Sequence, residues 1–566
     1  MKNIQKVILF TVVAAALFVS IAGCAPSPAT PIEPPSSITI VIPEDPPNFN
    51  PILNDTGYDG LVMEMTSMGL TDIDADGKVF PELAAELPTT ENDGVQVGDS
   101  GAMEVTWKLR QDVKWADGTP FSADDVIFTY QAITNPDTGS WFQGVDYLSD
   151  VEKVDQYTVK FFYSSVYTGY LTQFGGEQMA IWPAHFCKPE QGFVNWDCNR
   201  NPLSLGPYTL KEWVEGDHMI FERNPNYYQA GKPEIDTIIV KIVPDDTVRK
   251  QMMLNGDADI DMWVKEVVIE DLKKSDKVKV SITEAPRWVM RIFMNQSQRG
   301  ETSFGMPHPL FSNVLVRRAI RQAIDVDTLT KGIFLGYAQP VWTEFFREPY
   351  VCNIPRPTYD PESAKALLEE AGWQDTNGDG IRECHNCGTA EDGYVMEIEF
   401  GTYAEFGESM TLAQQLVSEQ LKVIGIKTNI TQTEGSVLWA DSQSGGIEQS
   451  GNYDMDMWDD GYAGVDPTDF LWEYYSVEAA TPDYGYNFVR WNSPAFNDLL
   501  GLSYTLDETV RKDLFCQMAK ILDEQVPQIL LFTIVNADAY SARLDGVHSN
   551  ANDLVTWNVA DWKIVK

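Results

Sequence analysis

The run Glu104–Val126, EVTWKLRQDVKWADGTPFSADDV, constrains this chain more than any other stretch. Val105, Trp107 and Leu109 alternate with Glu104, Thr106, Lys108 and Arg110, the period of a strand with one wet face. Ala116-Asp117-Gly118-Thr119-Pro120 predicts a turn, in which Gly118 can take positive φ without steric cost. Ser122, followed three residues later by Asp125, predicts a capping box with an acid near the positive end of the helix dipole. Strand, turn and capped helix thus follow one another within a single short segment.

The N-terminus says where such a chain works. Met1-Lys2 and Lys6 form a basic head, Val7–Ile21 is almost entirely apolar, and Ile21-Ala22-Gly23-Cys24 follows. The apolar core falls short of the roughly 20 residues that span a bilayer, so residues 1–23 read as a signal peptide. Small residues before a cysteine resemble the bacterial lipoprotein box, which implies that Cys24 carries lipid. An ordinary cleaved signal with a chance cysteine is the alternative. Residues 24–37 are rich in proline and read as a tether, extended at about 3.1 Å per residue where polyproline-like. A folded body held outside the cytoplasmic membrane is the expectation.

With 566 residues the chain exceeds one hydrophobic core, so two or three domains are expected. Lys plus Arg total 41 against 84 Asp plus Glu, a net charge of −43. That surface repels nucleic acid and anionic lipid headgroups, so no nucleic-acid partner is expected. The 16 Trp and 23 Tyr suit a cleft that stacks on ligands, and equally suit large cores.

The segment Glu104–Val126 resembles the signature of the extracellular solute-binding proteins of family 5, the peptide, nickel and oligosaccharide receptors of ABC importers. Further motifs match the same family: Asn48-Phe49-Asn50-Pro51, Gly206-Pro207-Tyr208-Thr209-Leu210, Asn224-Pro225-Asn226-Tyr227-Tyr228, Leu254-Asn255-Gly256-Asp257-Ala258-Asp259-Ile260 and Val316-Arg317-Arg318-Ala319-Ile320. The resemblance implies an α/β fold of the periplasmic-binding-protein type II: two mixed α/β lobes, a hinge, an extra domain and a ligand cleft. It implies domain I from 38–84 with 201–292 and 530–566, domain II over 85–200, and domain III over 293–529. The implied partners are a small solute, an ABC permease and, through the lipid anchor, the membrane, with the protein a monomer. Locally, Ser312 is a possible cap for the helix carrying Leu315, Ala319 and Ala323. Asp360-Pro361 starts another helix, which buries Ala364, Leu367, Leu368 and Ala371 and stops at Gly372.

Three constellations could carry chemistry. Asp375-Thr376-Asn377-Gly378-Asp379-Gly380-Ile381-Arg382-Glu383 repeats the first half of a calcium loop, with Asp375, Asn377, Asp379, the Ile381 carbonyl and Glu383 as ligands. Position twelve is Asn386 instead of Glu, so a plain polar turn is the alternative. No cofactor is required; a structural calcium is the one candidate. Cys384-His385-Asn386-Cys387 could be redox-active, half a zinc site or a small disulfide, and outside the membrane the disulfide is favoured. Cys187 and Cys198 form a second plausible bridge, and Cys352 and Cys516 can pair only if the fold brings them together.

The third constellation is Trp458-Asp459-Asp460-Gly461-Tyr462-Ala463-Gly464-Val465-Asp466-Pro467. The resemblance places this segment in the cleft, with an aromatic ring on the ligand and an Asp for its ammonium group; a buried ammonium needs such a partner. Ala463 stands where that Asp is expected, so Asp459 or Asp460 is the substitute. Trp458, Tyr462 and Asp466 complete the segment's candidates, and an acidic surface loop is the alternative. Asn54, Thr56 and Tyr58 in an early loop, then Trp263, Trp288 and Arg291, are the remaining cleft candidates.

An oligopeptide is the leading ligand, an oligosaccharide of the cello-oligosaccharide type the second, and a nickel complex the third. A glycoside hydrolase needs two carboxylates about 5–10 Å apart, and abundant acids make such a pair uninformative. No Gly-x-Ser-x-Gly, His-Glu-x-x-His or phosphate-cradling Gly-Lys motif occurs, so a non-enzymatic receptor is expected.

Overall fold

A computed structural model describes residues 36–50, 57–135, 144–176, 179–188, 195–283, 286–462 and 464–565. The signal segment, Cys24, most of the tether, Asn54, Thr56 and Ala463 lie outside the described residues. Among the described residues no helix is long and apolar enough to cross a membrane.

The signature segment folds as its pattern dictates. Met103–Lys108 is a strand whose Val105 and Trp107 are buried, while Gly118 turns the chain at φ 91°. Ser122 then caps the helix Ala123–Ile133 in a complete capping box with Asp125. The strand belongs to a four-stranded antiparallel sheet in the order 95–97, 103–108, 158–163, 148–155. One face of that sheet buries Trp107, Trp115, Phe121, Phe161 and Phe174.

The first lobe is a seven-stranded mixed sheet in the order 278–282, 537–541, 260–261, 37–42, 237–242, 218–223, 208–214. Ser37–Ile42 lies at its centre and runs parallel to Thr237–Ile242. The second lobe is a five-stranded sheet in the order 427–433, 397–403, 455–460, 289–294, 528–533. Its strand Val289–Met294 is buried on both faces. Met290, Ile292 and Met294 pack on one side with residues of the helices Val314–Ala323, Pro361–Glu370 and Glu408–Val423. Phe293 packs on the other with the helices Thr468–Tyr475, Pro494–Ser503 and Glu508–Gln525.

The chain crosses between the two lobes twice, between Ile282 and Val289 and again between Thr533 and Ala537. Both crossings differ from the expected borders at 292/293 and 529/530. Val289–Met294 and Gln528–Thr533 pair with each other in the second sheet, so the borders move outward to the ends of those strands. A strand's sheet is chosen by its hydrogen-bonding neighbours, which alternation along one chain does not name. The helix Val314–Ala323 is capped by Asn313, one residue after the expected Ser312. Asp360 and Pro361 start the next helix as expected, and Gly372 ends it at φ 82°.

Three disulfides join Cys187 to Cys198, Cys352 to Cys516 and Cys384 to Cys387. The second ties a loop of the second lobe to its long helix Glu508–Gln525.

Candidate solute-binding cleft

The strand Met455–Asp460 ends beside the first crossing, with Asp460 opposite Val289 and Gly461 pressed against the Arg287 carbonyl. Its last two carboxylates therefore sit at the hinge end of the second lobe, half-buried. Asp459 accepts the Tyr403 hydroxyl at 2.8 Å, and burial pushes its carboxyl up to about 6 against that bond. Asp460 accepts the Tyr474 hydroxyl, while its backbone carbonyl accepts Arg291 Nη2 at 2.9 Å.

Two acids from the following helix join them. Asp469 accepts the Tyr167 hydroxyl at 2.7 Å, a bond that ties the four-stranded domain to the second lobe. Burial pushes Asp469 up to about 7. Burial, then repulsion from Asp469 and Asp460, pushes Glu473 well above the usual carboxylate range. Among the described residues no hydrogen bond or ion pair engages the Glu473 carboxyl. Asp469 and Glu473 are four apart on one helix face, a like-charge spacing that costs stability. Aromatic rings flank the group: Trp439 is 41% exposed and packs against Tyr403, and Tyr486 is 40% exposed and packs against Tyr474. The alternation and motif reading missed Asp469, Glu473, Trp439 and Tyr486. The acidic i, i+4 pair in the otherwise apolar helix Thr468–Tyr475 is the signal that could have found the two acids.

At the hinge end of the first lobe, Trp263 packs against Tyr58, with ring centroids 5.4 Å apart. Trp263 adopts φ 54°, a conformation costly for a bulky residue and the sort of strain that collects at binding sites. Asp538 holds it there by accepting the Trp263 N–H at 3.2 Å. Gly57 leaves no room for a Cβ, which would lie 2.1 Å from the Trp263 ring. Burial pushes Asp538 up to about 6 and the Tyr58 hydroxyl up to about 12. Asp538 is a further residue that sequence reasoning missed, because alternation in a buried strand predicts an apolar side chain there.

Four of the expected ligand contacts are engaged by neighbours within the protein. Trp458 is 4% exposed, stacks on Phe293 at 4.0 Å and donates Nε1–H to the buried Glu448. Arg291 is 0% exposed and forms an ion pair with Glu344 at 2.7 Å. Tyr462 is buried under the Arg347 guanidinium, 4.1 Å from its ring. Asp466 pairs with Arg511 at 2.5 Å and accepts the Thr468 N–H at 3.0 Å, which fixes the start of the helix. Each of the four meets a complementary neighbour from a distant segment, and Trp458, Arg291 and Tyr462 are buried by it, while Asp466 stays partly exposed. Trp288 is half-buried, with the Arg287 guanidinium 4.5 Å over its ring.

The loop Asp375–Glu383 turns its oxygen side chains onto its own N–H groups. Asp375 accepts from Gly378 N at 2.7 Å and Gly380 N at 3.0 Å, and Asp379 accepts from Ile381 N at 2.8 Å. Glu383 accepts from Thr376 N at 3.0 Å and Asn377 Nδ2 at 2.5 Å. Its three carboxylates do not converge on one point; among the described residues, Glu64, Asp72 and Asp553 are the acids that do.

The profile of bacterial extracellular solute-binding proteins, family 5 Middle, matches residues 78–481. The oligopeptide-binding protein AppA of Bacillus subtilis is 25% identical over 482 residues, 82% of either chain. The glutathione-binding protein GsiB of Pectobacterium atrosepticum is 25% identical over 528 residues, 91% of either chain. The fold is shared with AppA of Bacillus subtilis in complex with a nonapeptide, at a TM-score of 0.73 and 22% identity, covering 94% of this chain and 100% of that one. It is shared too with NikA of Brucella suis in complex with Fe(III)-EDTA, at a TM-score of 0.77 and 22% identity, covering 93% and 99%. A signature strand, two lobes joined by two crossings and a profile spanning most of the chain agree: this protein belongs to the bacterial extracellular solute-binding proteins of family 5.

Proposed function

We propose that this chain is the receptor of an ABC importer, capturing an oligopeptide-like solute between its lobes and passing it to a membrane permease unaltered. The observation that carries the reading is the acidic group at the hinge end of the second lobe. Asp459, Asp460, Asp469 and Glu473 lie half-buried among tyrosine rings, and the Glu473 carboxyl meets no cation among the described residues. Such a group favours a solute that brings a positive charge, as a peptide brings its terminal ammonium. Trp263, Tyr58 and Asp538 offer a second wall from the first lobe.

In this reading domain I takes 38–84, 201–288 and 534–566, domain II 85–200, and domain III 289–533. Cys24 carries the lipid that keeps the monomeric receptor beside its permease. Related proteins support the ligand class by name: di/tripeptide-binding protein 1 of Pseudomonas aeruginosa is 24% identical over 569 residues. An oligosaccharide is the second reading, favoured by the exposed rings of Trp439 and Tyr486. A thermal-shift screen of short peptides against cello-oligosaccharides separates the two, because a ligand of the native state alone raises the Tm. A rise with peptides and none with sugars is expected; the reverse overturns the peptide reading.

We further propose that the loop Asp375–Glu383 is a structural calcium site, supported by oxygen side chains at alternate positions and by the turn at Gly380, φ 90°. Adding calcium to chelator-stripped protein is expected to raise the Tm and give a saturable heat. An unchanged Tm with no heat removes the site.

A further inference from the structure

Beneath the candidate cleft, the second lobe seals two acids in its core. Asp456 lies on the central strand Met455–Asp460 and is 3% exposed, while Glu448, from the turn before it, is 0% exposed. Asp456 and Trp458, two residues apart, share one face of that strand. A Cβ on Gly401 of the neighbouring strand would lie 2.0 Å from Asp456 Oδ1, so glycine there makes room for the carboxyl. Glu448 Oε1 accepts the Trp458 indole N–H at 2.9 Å.

The remaining two oxygens meet no donor. Glu448 Oε2 and Asp456 Oδ2 are both buried without a hydrogen-bond partner among the described residues. Buried polar atoms are almost always hydrogen-bonded. Two carboxylates cannot satisfy each other, since neither has a hydrogen to give, whereas a carboxylic acid beside a carboxylate can. Burial, then repulsion from Asp456, pushes Glu448 well above the usual carboxylate range, and burial raises Asp456 as well. The bond between them adds to the rise of Glu448 and opposes that of Asp456, which places the hydrogen on Glu448.

The surrounding charges favour one proton. Arg490 gives its Nη hydrogens to the carbonyls of Glu448, Gln449 and Phe488, so its charge faces the pair without bonding to it. Tyr453, Glu399 and Asp454 are the other titratable neighbours. Glu399 pairs with Arg299 at 2.8 Å, and Asp454 accepts from His308 at 3.4 Å and from the Glu399 N–H at 2.8 Å. Arg490 thus balances one ionised carboxylate of the pair, and a second would stand uncompensated in the core.

We propose that Glu448 and Asp456 form a proton-dependent brace under the cleft. With one hydrogen between them they hold the Trp458 indole, which stacks on Phe293 and packs against the exposed Trp439 ring at 5.6 Å. Loss of that hydrogen sets two negative charges face to face and slackens the floor. The brace does not depend on what the cleft binds.

Glu448→Gln in the full mature protein keeps a hydrogen for Asp456 and an oxygen for the Trp458 indole, and cannot ionise. A carboxyl raised in the native state stabilises it fully at low pH, and this contribution is lost as pH rises towards the native value. Urea denaturation between about pH 5.5 and 7.5 should therefore show the wild-type unfolding constant rising about tenfold per pH unit relative to the variant's. Parallel profiles overturn the proposal. Carboxyl carbon NMR of the wild-type protein reads the proton itself. The Glu448 signal is assigned by its absence from Glu448→Gln or, if that variant does not fold, by its displacement in Asp456→Asn. A protonated Glu448 at neutral pH is expected; titration near the ordinary value of about 4.3 overturns the proposal. Hydrogen exchange of the Trp458 indole N–H should lose protection, relative to Glu448→Gln, as Glu448 ionises. A constant ratio overturns the link to the cleft floor.

Discussion

At the scale of single residues, the acids of the cleft should govern both affinity and its pH dependence. A charge-assisted hydrogen bond contributes about 1.5–3 kcal/mol, so Asp469→Asn with Glu473→Gln is expected to weaken a peptide with a free amino terminus by more than tenfold in calorimetric titration. Burial raises the carboxyls of Asp459 to about 6 and Asp469 to about 7, so in the unliganded protein both are partly protonated near neutrality. Affinity for a cationic solute should therefore rise between about pH 5 and 7.5, as these groups ionise. The sign for unliganded stability is opposite. A raised folded-state carboxyl makes the native state bind more protons than the unfolded chain, so the contribution of these two groups to stability is fully present below about pH 4 and is lost as pH rises through 6 to 7.

The buried pair of Arg291 and Glu344 has a different job. Both side chains are almost wholly buried, and Tyr475 and Gln528 add hydrogen bonds to them. Removing one partner leaves an uncompensated buried charge, so Glu344→Leu should cost about 3–5 kcal/mol. Arg291→Met combined with Glu344→Leu should cost less than the single change. Chemical denaturation checks both, and a single change that costs under 1 kcal/mol would contradict the buried-pair account. Little of this was legible beforehand. Arg291 and Trp458 have the chemistry of ligand contacts, and only their neighbours from residues 344 and 448 reveal that they are sealed. Asp459 and Asp460 stand out in the sequence because the acidic run closes a recognisable motif, and the structure places them at the end of the strand Met455–Asp460.

At the scale of elements, local chemistry and pattern agreed where both could be read within one stretch. Alternation fixed the inward face of Met103–Lys108, and Ser122 with Asp125 fixed the start of the helix behind it. Asp125 does more than cap: it also accepts Ala184 N at 3.0 Å and Trp115 Nε1 at 3.4 Å. Ser122→Ala should thus cost about 1 kcal/mol, the usual value for a lost cap. Asp125→Ala should cost distinctly more, since it also strands buried donors. Equal losses of Tm in the two variants would contradict that division. Which sheet a strand joins was not legible, because Val289–Met294 is apolar on both faces and either lobe could have taken it.

At the scale of the whole molecule, hydrogen bonds join the two lobes away from the proposed cleft. Ser409 donates to Glu266, Tyr337 donates to Glu270, and Tyr167 bridges the four-stranded domain to Asp469. These bonds join segments on either side of the two crossings, so they belong to a closed arrangement and are lost if the lobes part. Ser409→Ala with Tyr337→Phe should shift the unliganded protein toward a larger radius of gyration in solution scattering, while saturating solute restores the compact value. Identical profiles for both proteins with and without solute would contradict it. The hinge itself was legible only as a family expectation, since two short crossings carry no pattern of their own.

Native mass spectrometry of the protein mixed with short peptides tests the central claim most directly. The account predicts one unmodified peptide per protein, lost when the peptide amino terminus is acetylated or when Asp469 and Glu473 are neutralised. Peptide bound equally well after acetylation, cleaved peptide, or no bound peptide at all would contradict it.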